Sequence, residues 1–170
     1  MISETMSESK EACLTHYRRA NKKIIGLRDG LDKLFYAEGL RDIWTAFDGF
    51  LDHKGYSGNN KYRIEKFAKT NQVFFSNWNK TDLFKDSVKI LIKESPVINI
   101  GNKRVFYLNS DKDLKEILSF CYAVKGNLNH GTKDLERDDS IGQRNMNLVE
   151  HSFKVVHEIL QMILLNEKLV

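Results

Sequence analysis

Proline is nearly absent from this 170-residue chain: it occurs once, at Pro96. A loop-rich all-β fold uses proline freely in turns and edges, so its scarcity predicts long helices joined by Gly- and Asn-rich turns. Cysteine is equally scarce, with Cys13 and Cys121 alone. Two cysteines make neither a CxxC motif nor a Cys/His zinc site, and the simple expectation is two reduced thiols in the cytoplasm. Long apolar runs are missing too. The longest strongly apolar stretch is Met162 to Leu165, far short of the ~20 residues of a membrane span, so no membrane partner is expected. The first ten residues are polar and mixed in charge, unlike a secretory signal. GxxxxGK[ST], HExxH and a convincing Rossmann glycine pattern are also missing; no cofactor or metal is expected.

Hydrophobic residues make up 41% of the chain and charged residues 29%, the composition of a globular protein rather than a disordered one. The length suits one domain over 1–170, large enough to fold around its own core. Lys and Arg number 27 against 23 Asp and Glu, for a net charge of +4 and a pI near 9.0. That excess is compatible with nucleic acid but does not demand it.

The predicted fold class is mainly α: a helical bundle of about five to seven helices with one small β-hairpin near 97–108. Apolar spacing predicts helices over 5–28, 40–53, 60–69, 82–94, 112–130 and 142–167, with 29–39 a short helix or loop. Arg18, Arg19, Lys22 and Lys23 read as a solvated face of the first helix. Phe74, Phe75 and Trp78 read as core rather than as a base-stacking platform. Thr81 is a natural N-cap for 82–94, and Asn109, Ser110 or Asp111 for the helix from 112. After Pro96 the period changes. Val97–Ile100 and Arg104–Leu108, separated by Gly101–Asn102–Lys103, form the hairpin. Gly131 stops the next helix, and 132–141 is a polar loop. The last helix carries an apolar band from Leu148 to Leu164 wide enough to place it centrally in a bundle.

One position breaks the pattern. On a wheel of 100° per residue with Leu114 at 0°, Cys121, Leu118, Leu128 and Ile117 form an apolar stripe, and Lys125 falls inside it at about 20°. Asn127 falls at about 220° and His130 at about 160°. Two interpretations stand on spacing alone. Lys125 lies where the stripe runs out, its ammonium in water, and His130 complements a helix C-terminus; or the three form a site, with the lysine held in an interface cleft. The remaining histidines offer no catalytic setting: His16 and His53 sit at polar helix ends, and His151 and His157 are six apart without a carboxylate at metal-binding spacing.

The run Tyr122–Ala123–Val124–Lys125–Gly126–Asn127–Leu128–Asn129–His130–Gly131–Thr132–Lys133 resembles the signature of bacterial HEPN domains, Tyr-x-[Val/Ile]-Arg-x-Asn-Leu-x-His-Gly-x-Lys. Arg137, Asp138 and Asp139, then Asn147–Leu148–Val149 in the last helix, fit the family layout of an acidic loop and a long final helix. The resemblance spans about 111–165 within a motif-bearing core of about 111–167, and the N-terminal helices of 5–94 are either an elaboration of it or a partner-binding surface. It implies a helical bundle that dimerises near its motif helices. Many such proteins are metal-independent endoribonucleases of toxin–antitoxin, phage-defence or RNA-processing systems; others are non-catalytic modules that bind RNA, a nucleotide or a protein partner such as an antitoxin. Carried over by position, His130 is the acid/base, Asn127 a positioning group and Lys125 the cation, standing where the family has arginine. Lysine supplies the charge without arginine's bidentate fork for phosphate.

Overall fold

The computed structural model describes residues 2–26, 33–128, 135 and 137–170. Its described residues form six helices and one two-stranded sheet: α1 (Ile2–Gly26), α2 (Lys33–His53), α3 (Asn60–Asn77), α4 (Asp82–Glu94), β1 (Val97–Ile98), β2 (Val105–Phe106), α5 (Leu114–Leu128) and α6 (Ser140–Asn166). The expected mainly helical bundle with a small hairpin is what the chain adopts. The strands pair antiparallel, Val97 with Phe106 and Ile98 with Val105.

Helix boundaries follow local chemistry. Thr81 accepts a hydrogen bond from the Phe84 N–H at 3.0 Å and caps α4 as expected. Asn59 caps α3 through Tyr62 N, and Asp139 caps α6 through Gly142 N. At α5 the cap is neither Asn109, Ser110 nor Asp111. Asp113 Oδ1 accepts the Glu116 N–H, and Gln72 Oε1, from α3, accepts the Leu114 N–H, each at 3.0 Å. The tertiary contact with Gln72 moves the start of the helix beyond the local candidates. Two helices are longer than expected. Residues 33–39 belong to α2, and α3 runs on through the Phe74–Phe75 pair. Burial explains both extensions: Ala37 and Phe75 are fully buried, and Phe74 and Trp78 pack against the core, so core rather than base-stacking surface is correct for that aromatic cluster.

α6 packs against α1, α2, α4 and α5. Its central place follows from its buried band, which runs from Gly142 through Phe153, Val156 and Leu160 to Leu164. α2 lies between α1 and α6. A methyl at Gly39 would come within 2.8 Å of the Phe153 ring on α6, and one at Gly49 within 3.1 Å of Cys13 N on α1. These glycines let the three helices approach closely. The hairpin is tied to α6 by Arg144, which donates to the carbonyls of Glu94 and Pro96 at 2.7 Å each.

Both cysteines are free and buried, and burial pushes Cys13 up to about 11 and Cys121 up to about 12. They are inert thiols packed as small hydrophobes. His157 is 3% exposed, stacks on Tyr17 at 5.4 Å between ring centroids, and has no hydrogen-bond partner on either ring nitrogen among the described residues. Burial pushes its pKa down to about 4.

Two measurements check this packing. Gly39→Ala gains up to ~1 kcal/mol of helix propensity but must displace a buried ring, a change that costs ~1–3 kcal/mol; the expected result is a lower Tm. His157 binds its proton less readily in the folded chain than in the unfolded one. Its contribution to stability is therefore complete above pH ~6.5 and drains away as pH falls toward 4. His157→Leu is expected to shrink the drop in unfolding free energy between pH 7 and pH 5 by about 2 kcal/mol in denaturant titrations.

Candidate functional site

The last two turns of α5 carry Lys125 and Asn127, and two different neighbourhoods hold them. The wheel centred the apolar face on Lys125. In the fold, burial extends further round the helix, through Val124, Phe120 and Ala123, so the buried arc is centred away from Lys125 and the lysine lies near its edge. It is half-buried, with Nζ 5.4 Å from the centroid of Tyr122, one turn earlier on the same side.

Tyr122 packs edge-on against Trp44 of α2 and receives a hydrogen bond from Asn60 Nδ2 at the start of α3. Asn60 Oδ1 in turn accepts from Arg63 Nη1 at 3.3 Å. Arg63 Nη2 donates to the Asp48 carbonyl at 2.9 Å and to Asp52 Oδ1 at 2.8 Å. A polar seam thus joins α2, α3 and α5 beneath Lys125. Burial raises the Asp48 carboxyl above the ordinary range, while the charges of Arg63 and Lys125 pull it back down. Lys125 is thus one of two cations in the same chain whose charge partly offsets the effect of burial on Asp48.

Asn127, two residues on, projects about 200° away around the helix. Its side chain clamps the hairpin: Oδ1 accepts the Ile100 N–H and Nδ2 donates to the Ile98 carbonyl, both at 2.8 Å. Gly126 permits this approach, since a methyl there would lie 3.0 Å from Asn99 Nδ2. Beside the clamp, Val97, Ile100, Val124, Leu135, Leu148 and Val149 line a cavity of about 90 Å³. Asn127 is therefore a positioning residue, acting through the backbone of the hairpin. Lys125 and Asn127 are not brought together. His130 lies outside the described residues, as do Gly131 and 132–134, where a polar loop was expected.

Sequence reasoning missed Arg41. From α2 its Nη2 donates to the Leu128 carbonyl at 3.2 Å, at the C-terminal end of α5. No local signal marks it, because its partner is 87 residues away. Arg41 also lines an open cleft of about 570 Å³ between α1 and α2, together with Arg19, Lys22 and Lys23. The face expected to be solvated is in part structural: Lys23 donates to Asp42 Oδ2 at 2.8 Å and to Glu38 Oε2 at 3.2 Å. His16 is not at a helix end but within α1, its Nδ1 3.5 Å from Asp42 Oδ1. His151 meets Ser87 Oγ at 3.1 Å. Among the described residues no group of three His, Cys, Asp or Glu side chains is placed to hold a metal ion.

No family model, no curated protein and no solved structure matches the chain.

Asn127→Ala removes two solvent-exposed hydrogen bonds that hold the hairpin to α5. The expected outcome is a loss of about 1 kcal/mol in stability and faster amide hydrogen exchange at Ile100, measured against the exchange of the α6 amides.

Proposed function

We propose that this chain is an HEPN-like metal-independent endoribonuclease of the cytoplasm, acting as a homodimer in a defence, toxin–antitoxin or RNA-processing role. The observation that carries this is the setting of the motif run. It begins on the last two turns of α5, the next-to-last helix, and leads into α6, the long and largely buried final helix. That is the order the resemblance implies. A cationic cleft reaching the end of α5 through Arg41 gives the same region a surface suited to phosphate.

The chemistry follows from the residue types. RNA cleavage without a metal uses the ribose 2′-oxygen as nucleophile on the adjacent phosphorus; the bond to the 5′-oxygen breaks, leaving a cyclic phosphate and a 5′-hydroxyl. A histidine such as His130 titrates near neutrality and suits the proton transfers. A cation must offset charge on the phosphoryl oxygens, the task assigned here to Lys125. Asn127 fixes the backbone of the same turns through the hairpin.

A second proposal, a non-catalytic module that binds RNA, nucleotide or a protein partner, is favoured by the environment of Lys125. Its charge is shared with Asp48 and Tyr122, and it lacks the planar fork of arginine.

The test is cleavage of labelled RNA at neutral pH in excess EDTA by wild type, His130→Ala and Lys125→Arg. EDTA-resistant cleavage is expected from wild type, falling at least ~100-fold in His130→Ala and rising in Lys125→Arg. Cleavage by none of the three would overturn the ribonuclease and favour the binding module.

A further inference from the structure

We propose that the cleft between α1 and α2 binds the backbone of single-stranded RNA, with Arg19, Lys22 and Arg41 on phosphates and Phe35 under an unstacked base. The choice of RNA among polyanions rests on the proposed function; the cleft itself rests on the following geometry.

Four cations and two carboxylates line the cleft, a net charge of +2. The two carboxylates, Glu38 and Asp42, are both engaged by one cation, Lys23. Arg19 and Lys22 are exposed and make no ion pair among the described residues, so their charge is directed at solvent or a ligand. They are three residues apart on α1, hence neighbours on one helix face. Arg41 faces them from α2 and links the cleft to the end of α5. A phosphate chain lying on Arg19 and Lys22 is thus led by Arg41 toward the C-terminal end of α5 at Leu128.

Phe35 argues for an unpaired strand. It is half-buried, lines the cleft and lies outside the contiguous core, with Lys23 Nζ 5.6 Å from its ring centroid. An aromatic face beside a cationic track is the arrangement on which single-stranded bases stack; duplex RNA keeps its bases inside.

The experiment measures binding of a fluorescein-labelled, mixed-sequence RNA 20-mer by anisotropy across a salt series. All proteins carry His130→Ala so that the probe survives. Each phosphate contact to a single strand contributes about 0.7 to the slope of log K against log salt. Arg19→Ala/Lys22→Ala is therefore expected to lower the slope by about 1.4. The charge-matched control Lys89→Ala/Lys93→Ala, two exposed lysines of α4, is expected to leave it nearly unchanged. Phe35→Ala is expected to weaken binding about tenfold with the slope intact. Equal slope losses in the two double variants, or no RNA binding at low salt, would overturn the cleft; full affinity in Phe35→Ala would overturn the base contact. Binding through the cleft without EDTA-resistant cleavage by the wild-type chain would remove the ribonuclease and leave the cleft. Cleavage with a slope indifferent to Arg19→Ala/Lys22→Ala would remove the cleft alone.

Discussion

The close packing of α2 between α1 and α6 is the constraint on which the rest of the molecule depends. Side chains larger than hydrogen at Gly39 and Gly49 would push these helices apart, because what they would meet is a buried ring and a helix backbone. With α2 seated, its apolar side buries Leu40, Ile43, Trp44, Phe47 and Leu51. Its polar residues then have fixed destinations: Arg41 reaches the end of α5, Asp42 faces α1, and Asp48 faces α3 and α5. One helix thus sets both the cationic cleft and the seam beneath Lys125.

α5 is held from opposite sides by different chemistry. On one side a chain of hydrogen bonds runs from Asp52 through Arg63 and Asn60 to the Tyr122 hydroxyl. On the other, the amide of Asn127 takes up one donor and one acceptor of the hairpin. Hydrogen bonds of this kind orient elements more than they stabilise them, since most of their energy replaces hydrogen bonds to water. Their effect here is to fix the orientation of α5 up to its end at Leu128.

The histidines show how little residue type says by itself. His16 sits beside Asp42, His151 meets a buried serine hydroxyl, and His157 is sealed among Tyr17 and Phe153 with its neutral form favoured. All three serve the packing of the bundle. Spacing on a helix did not separate them, because their partners come from other helices.

Most of the architecture was legible in the sequence. Apolar periodicity located the helices, Thr81 marked the start of α4, and the change of period after Pro96 marked the hairpin, because these signals act within a few residues. The extension of α2 back to Lys33, the Asp113 and Gln72 cap of α5 and the true centre of its buried face were not legible, since burial by distant helices decides them. The same division holds at the site. Sequence placed Lys125, Asn127 and His130 in the last two turns of one helix and left open whether they form a site. Tertiary structure alone decided that Lys125 faces Asp48 while Asn127 clamps the hairpin, and that Arg41 reaches the end of α5 from α2. A helix fixes the angle between its residues, but what each angle meets depends on the helices packed around it.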